Sequence, residues 1–332
     1  MSSAAIVKPD HLGDLVLASP AIRAIARHFR DVALFVGSGS APLARFLFPE
    51  ITDIRILDFP HLARKAVAAV DVKGLAAQLN GADMVFCLRD DPVLRDVLGQ
   101  VTAPSVMADG DHRVHDTALH KRAIIGTIGN YSRTRLFSGP PIPWPMIPWR
   151  IGLCIAAGFP TNRWTNALWA ELATRLAAKG YEITVIGGPA EREELAFLSR
   201  LLAIPPVRTV EGGNDFEAFL AAIDPVDLVI GTDGGTAHLC SLRKPVFSLF
   251  GSSPWRRYAP FGRNNVLLTR DEPCSPCLQF SAEEVNGCLT RECMNRLSVQ
   301  SVLSVIESNG MDFSQVRGAH VSRGTSHACE AA

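Results

Sequence analysis

Ile230-Gly231-Thr232-Asp233-Gly234-Gly235-Thr236-Ala237-His238 joins an apolar, β-rich run at residues 227–231 to a short helical pattern near residues 237–242. A strand, a glycine-rich turn and a helix in that order make one β-α unit of a parallel sheet. The unit recurs on both sides. Downstream, residues 245–250 read as the next strand. Upstream lie a strand at 150–156, a helix at 166–179, a strand at 182–187, a helix at 190–202, a short strand at 207–210 and a helix at 215–223.

The N-terminal half keeps the same rhythm. Residues 4–8 read as a strand and 12–29 as a helix with apolar residues at helical spacing. Strands follow at 32–38, 54–59, 84–88 and 105–108, with an Ala-rich amphipathic helix at 62–79 and another helix at 91–101. Between the halves, residues 138–149 hold five prolines in twelve residues, which suits neither a helix nor a central strand and reads as a stiff linker. The expected organisation is one α/β domain at residues 1–145, a second at 146–310 and a polar, disordered tail at 311–332.

Composition narrows the function. The chain has 332 residues, with 33 Lys+Arg balanced by 33 Asp+Glu. A neutral chain has no general field for nucleic acid, so no nucleic-acid partner is expected. The apolar fraction of 47% and charged fraction of 20% are those of a folded globular protein. No run of 18 apolar residues is present and the chain enters its first strand without a basic leader, so a cytoplasmic protein is expected. Eight cysteines in a chain this long do not form a disulfide framework.

Four segments carry chemistry. In the 230–238 segment, glycines let the backbone approach a ligand, a helix start offers N–H groups to a phosphate, and the Thr232 and Thr236 hydroxyls add donors. The competing reading is an ordinary turn in which Asp233 caps the helix. Neither the Walker pattern nor the dinucleotide fingerprint is present, which disfavours a P-loop NTPase or a simple dehydrogenase. In Lys8-Pro9-Asp10-His11-Leu12-Gly13-Asp14, Asp14 stands at a helix start, as either a cap or an exposed general base. In Gly187-Gly188-Pro189-Ala190-Glu191, the carboxylate either accepts from ribose hydroxyls or pairs at the surface. Cys274, Cys277, Cys288 and Cys293 fall within twenty residues, a spacing open to a structural zinc or iron, to disulfides or to reduced thiols. A basic cluster including Arg113, His115 and Lys121 is either a solvated helix face or a contact for an anionic acceptor. Cys87, Cys154 and Cys240 sit in apolar runs and read as core.

Taken together, these residues resemble glycosyltransferase family 9, the bacterial lipopolysaccharide heptosyltransferases and their relatives. The run from Ile6-Val7-Lys8 through Gly13-Asp14 to Pro20-Ala21-Ile22-Arg23 is similar to the family's opening strand and helix. Thr232 to His238, followed by Pro245 to Gly251, is similar to its Asp-Thr/Gly-Gly-x-x-His signature and the next strand. Trp164, Trp169, the Cys-x-Pro-Cys start and Cys293-Met294 also recur in members. The resemblance implies a GT-B architecture, two Rossmann-like doubly wound domains facing across a cleft. It places Asp14 on the catalytic base. Asp233, Gly234, Gly235 and His238 fall on the donor-phosphate segment, and Glu191 on the nucleoside contact. Asn162-Arg163-Trp164-Thr165 stands where the family often has Lys-Arg-Trp-Pro, which makes Arg163 the candidate cation.

The implied activity is inverting transfer of a sugar, heptose from ADP-heptose first, from a nucleotide-diphosphate donor to a lipopolysaccharide core. The implied acceptor is lipid-linked, with peripheral contact at the inner membrane and no cofactor required for catalysis. Two alternatives stay open: a protein O-glycosyltransferase of the same family, and a non-catalytic nucleotide-sugar-binding relative. A cysteine-centred metal or redox protein is a third class.

Overall fold

A computed structural model describes residues 3–59, 69–138, 150–202, 215–262, 265–270, 272–277, 288, 290–307 and 320–323. The expected strand at 207–210, the first part of the helix expected at 62–79 and nearly all of the proline-rich linker lie outside these residues. The chain splits into two compact units, Met1–Gly139 and Pro140–Ala332, and the division falls inside the proline-rich stretch.

The first unit alternates strands and helices: β1 (Ser3–Val7), α1 (Leu12–His28), β2 (Asp31–Val36), α2 (Ala41–Leu47), β3 (Asp53–Ile56), α3 (Val72–Leu79), β4 (Met84–Cys87), α4 (Pro92–Leu98), β5 (Ser105–Met107), α5 (Asp116–Ile128) and α6 (Arg133–Ser138). Its five strands pair in parallel in the order β3-β2-β1-β4-β5. The order reverses beside β1, because β2 and β4 flank it and the chain crosses the sheet in both directions. β4 is buried at every residue, as a central parallel strand covered on both faces must be. Ala5, Val7, Phe35, Val85, Leu75 and Leu94 form part of the core between sheet and helices. The described part of the helix expected at 62–79 begins at Val72, since the Asp71 carboxylate takes the Gly74 N–H and caps it. Asp91 caps α4 in the same way through Val93 N, with Pro92 at the first helical position.

The second unit contains β6 (Arg150–Cys154), α7 (Asn166–Ala178), β7 (Glu182–Ile186), α8 (Arg192–Leu202), α9 (Phe216–Ile223), β8 (Leu228–Thr232), α10 (Gly235–Cys240), β9 (Val246–Phe250), α11 (Trp255–Tyr258), β10 (Asn265–Thr269), α12 (Glu292–Asn295), α13 (Val299–Glu307) and β11 (His320–Arg323). The strands run β11-β10-β9-β8-β6-β7. All pairings are parallel except β10 with β11. Here the order reverses beside β6. The terminal segment expected to lack regular structure thus supplies an antiparallel strand. Its physical reason is the open edge of β10, whose unpaired backbone groups are a template for one more strand.

Trp169 packs edge-on against Trp164, with ring centroids 4.9 Å apart at 89°. The Trp164 indole N–H donates to the Leu297 carbonyl at 2.9 Å and ties the start of α7 to the chain entering α13. Among the described residues, no helix is long and apolar enough to cross a membrane.

Replacing Trp169, which is 1% exposed, by alanine empties the centre of the second core. The variant should lose about 3–5 kcal/mol in urea unfolding, whereas Leu201→Ala, exposed on α8, should stay within about 0.5 kcal/mol.

Candidate functional site

In the second unit, three chain segments meet at the carboxyl ends of β6, β8 and β9. They are residues 156–163 after β6, residues 232–238 after β8 and residues 251–253 after β9. Buried polar side chains lock them together. The Asn162 side chain, with no solvent exposure, donates to Asp233 Oδ2 at 3.1 Å and to Ser253 Oγ at 2.7 Å. Its carbonyl oxygen accepts from Ser252 N at 3.2 Å and from the Ser252 hydroxyl. Thr161 Oγ1 adds a 2.9 Å bond to Ser252 Oγ. Sequence reasoning placed no role on Asn162, Ser252 or Ser253. Their partners lie 71 to 91 residues away in the chain, beyond any local signal.

The expected donor residues divide into braces and a face. Thr232 is fully buried and its hydroxyl donates to the Ala156 carbonyl at 2.9 Å, so it braces β8 rather than offering a donor to a ligand. Gly234 packs so closely that a Cβ there would sit 2.8 Å from the Ala156 oxygen. This close approach is the reason for glycine, since its backbone is extended. Asp233, Gly235 and Thr236 are half-buried and reach the surface. His238 is buried, with Nε2 3.8 Å from Asp233 Oδ1 and no hydrogen-bond partner for Nδ1 among the described residues. Asp233 is thus held by Asn162 on one side and faces His238 on the other.

Glu191 is buried at the start of α8, where its Oε2 accepts from Gly188 N at 3.1 Å. Arg163, expected to supply the missing cation, lies between two carboxylates. It contacts Glu194 at 3.0 Å and Glu191 at 3.5 Å. Both bonds hold the guanidinium on the α8 side, so the lysine's usual place belongs to a neutral, fully buried amide.

In the first unit, Asp14 lies in the first turn of α1, just beyond the carboxyl end of β1. It is half-buried, and among the described residues its carboxylate has no hydrogen bond or ion pair. Burial pushes its pKa up, the Asp10 and Asp116 charges add to this, and Lys8 and His11 oppose it. The residues expected to face an acceptor each have a partner within the first unit. Arg113 pairs with Asp111 at 3.0 Å on the surface. His115 caps α5, with Nδ1 accepting from Thr117 N at 3.3 Å. Lys121 lies over the Tyr131 ring at 5.8 Å. α5 is also not simply a solvated face, because Asp116, Thr117, Ala118, Leu119, His120 and Ile124 are buried.

Cys274, Cys277, Cys288 and Cys293 carry free thiols. Burial and then the neighbouring Cys277, Cys274 and Cys288 push the Cys293 thiol up to about 11. The four are close enough to feel one another electrostatically. Among the described residues, however, no three or more His, Cys, Asp or Glu side chains are placed to hold a metal ion. Their segment braces the site: Cys277 N donates to Ser252 O at 2.9 Å, Ser275 Oγ to Gly251 O at 2.7 Å and Arg291 Nη1 to Pro160 O at 3.3 Å.

Comparison with known proteins fits this geometry. Residues 148–287 match glycosyltransferase family 9 (heptosyltransferase), a span that holds Asn162, Arg163, Glu191 and the whole 232–238 turn. The chain is 32% identical over 163 residues to lipopolysaccharide heptosyltransferase 1 of Pseudomonas aeruginosa, covering 45% of this chain and 44% of that protein. The match therefore spans less than half of that relative's length. With lipooligosaccharide heptosyltransferase 2 of Campylobacter jejuni it shares 24% identity over 311 residues, 89% of this chain and 94% of the relative. Among solved structures, Escherichia coli heptosyltransferase WaaC with ADP superposes with a TM-score of 0.61 at 17% identity, covering 92% of this chain and 99% of that one. The iron-containing dodecameric glycosyltransferase TibC of Escherichia coli does so with a TM-score of 0.54 at 16% identity, covering 93% and 76%. The fold is the one shared by these two-unit glycosyltransferases. Residues 148–287 thus match the family 9 model, and most of the chain is similar, at lower identity, to a heptosyltransferase.

Gly234→Ala should cost about 1–3 kcal/mol in urea unfolding, because the Ala156 backbone it strikes cannot move without shifting β6. Thr236→Ala, two residues on and half-exposed, should change stability by less than about 0.5 kcal/mol.

Proposed function

We propose that this chain is a member of glycosyltransferase family 9, an inverting glycosyltransferase that moves a sugar, heptose from ADP-heptose first, onto a lipopolysaccharide core or a related glycan. The observation that carries the reading is the overlap of the family match, residues 148–287, with the constellation around Asp233. The names of the relatives, heptosyltransferases and one structure with ADP, supply the substrate class.

The chemistry follows from residues already placed. Asp14 accepts the proton of the acceptor hydroxyl as its oxygen bonds to the anomeric carbon. The bond from that carbon to the donor phosphate breaks, and the nucleotide diphosphate leaves with the electron pair. Attack opposite the leaving group inverts the anomeric carbon. Negative charge develops on the departing diphosphate, and fixed donors aimed at it lower the barrier. With Arg163 held by Glu191 and Glu194, that work falls to His238 and to the backbone N–H groups of Gly235 and Thr236. Glu191 is the candidate nucleoside contact. Asp233, held by Asn162, faces the sugar.

No cofactor enters this step. The four cysteines act in this reading as thiols of the segment that braces Gly251 and Ser252. Elemental analysis of the purified protein should return less than one tenth of an equivalent of iron or zinc. Stoichiometric metal lost together with donor binding on chelation would instead support a metal-held brace. A lipid-linked acceptor and peripheral contact with the cytoplasmic face of the inner membrane belong to the same proposal.

The test is turnover. Wild-type protein incubated with ADP-heptose and heptose-deficient lipopolysaccharide core should release ADP and add one heptose with inverted configuration. Asp14→Asn should lower kcat by about 10²–10⁴-fold while the donor KM stays within about twofold. An Asp14→Asn protein working at the wild-type rate would remove Asp14 from the mechanism. Transfer to a protein hydroxyl but not to the core would move the acceptor to the protein-glycosylating branch.

A further inference from the structure

The hydrogen bonds that hold Asp233 have a direction, and they end at an unspent proton. The Ser252 backbone N–H can only donate, and it meets the Asn162 side-chain oxygen at 3.2 Å. The Asp233 carboxylate accepts from the other end of the same amide at 3.1 Å. These two contacts fix which end of the Asn162 amide is oxygen and which is nitrogen. The Ser252 hydroxyl gives its one hydrogen to the Asn162 oxygen. Its remaining contact, with the Thr161 hydroxyl at 2.9 Å, is therefore one in which Thr161 donates. The second amide hydrogen of Asn162 goes to Ser253 Oγ at 2.7 Å. Hydrogen bonds thus run from Thr161 to Ser252, through Asn162, to Asp233 and Ser253.

Thr161, Asn162 and Ser252 are buried, and their side-chain donors are all spent inside this network. Ser253 differs. It is half-buried in the segment after β9, and its oxygen accepts from Asn162. Among the described residues its own O–H donates to no protein acceptor. Asp233 does not take that proton, because the two hydrogens of one amide nitrogen diverge and set Asp233 Oδ2 and Ser253 Oγ about 5 Å apart. Accepting from Asn162 polarises the Ser253 hydroxyl and makes it a stronger donor. Its segment is fixed from behind, where Ser275 bonds Gly251 and Cys277 bonds Ser252. A fixed, polarised proton therefore stands beside the β8 turn, where Asn162 is neutral and Arg163 is held by Glu191 and Glu194.

We propose that the Ser253 hydroxyl is a donor-binding contact that gives its proton to a phosphate oxygen of the nucleotide diphosphate. The inference rests on the reading of this site as the donor site, and it adds a residue to that site. An anionic oxygen is the acceptor that suits a polarised O–H, since hydrogen bonds to charged groups are the stronger ones. The contact also gives the neutral network a second task. Asn162 positions Asp233 with one amide hydrogen and primes Ser253 with the other.

Calorimetric titration of the full chain with ADP tests the contact. Ser253→Ala should weaken ADP by about tenfold, and Ser253→Thr, which keeps the hydroxyl, should stay within about twofold of wild type. Water can take the amide hydrogen that Ser253→Ala leaves, because the position is half-buried, so the variant should fold. A loosened Asn162 network would also weaken ADP, and thio-substituted ADP, with sulfur on the α or the β phosphate, separates the two causes. Sulfur accepts hydrogen bonds poorly. The analogue whose sulfur replaces the contacted oxygen should bind wild type at least about fivefold more weakly than ADP, whereas Ser253→Ala should bind that analogue and ADP alike. If Ser253→Ala binds ADP as wild type does, or discriminates against the sulfur analogues as wild type does, the contact is overturned and the transferase reading stands. No binding of ADP by folded wild type would overturn that reading and the contact with it.

Discussion

Where a parallel sheet reverses its strand order, the crossovers on either side leave in opposite directions and the ends of two neighbouring strands stay uncovered by helix. Both units of this protein have such a point, beside β1 in the first and beside β6 in the second. The backbone groups exposed there have no ladder partners, and burying them bare costs more than any single contact returns. The chain answers with polar side chains brought from far along the sequence. Lys8 reaches the Leu88 carbonyl across 80 residues, and Asn162 reaches Ser252 across 90. The features read here as functional sit on these two junctions.

The junctions solve the problem with different chemistry. The first is ionic: Lys8 and Arg89 hold Asp10, Asp116 and Asp91 in a buried lattice beside Asp14. The second is mostly neutral: amide and hydroxyl groups of Asn162, Thr161, Ser252 and Ser253 hold Asp233 in place. A general base needs a carboxylate whose proton affinity is set by its field, and charges set a field. A donor cradle needs geometry that does not change when a diphosphate arrives, and a satisfied neutral network supplies that at low electrostatic cost. In the proposed reaction, the neutral choice at Asn162 leaves His238 and backbone N–H groups to meet the diphosphate. The thiol-bearing segment contributes from behind, through Cys277, Ser275 and Arg291 on Ser252, Gly251 and Pro160.

The sequence made the local parts legible. Apolar periodicity located α1 from Leu12 and the strands around Val85 and Ile230 to within a few residues, and the glycine-rich turn pointed to the 232–238 segment. Pairing across the sheet was not legible. Arg163 looked available because Glu191 and Glu194, its partners, lie about thirty residues on. Thr232 looked like a ligand donor because nothing local shows that its hydroxyl meets Ala156. The cap that His115 makes on α5 was likewise hidden, because a run of basic residues carries no sign of which side chain caps its own helix. The helices α2 and α6 and the edge strand β11 went unread for a related reason. They are short, and packing or an open sheet edge, rather than propensity, holds them.

The central claim is that the second unit holds a nucleoside diphosphate through the network centred on Asp233. Calorimetric titration of the full chain with ADP, UDP, GDP and CDP tests it directly, with Asn162→Ala run in parallel. The account predicts ADP-selective binding that weakens at least tenfold, about 1.4 kcal/mol, when Asn162 releases Asp233. No heat with any of the four from folded protein, or ADP binding untouched by Asn162→Ala, would contradict it.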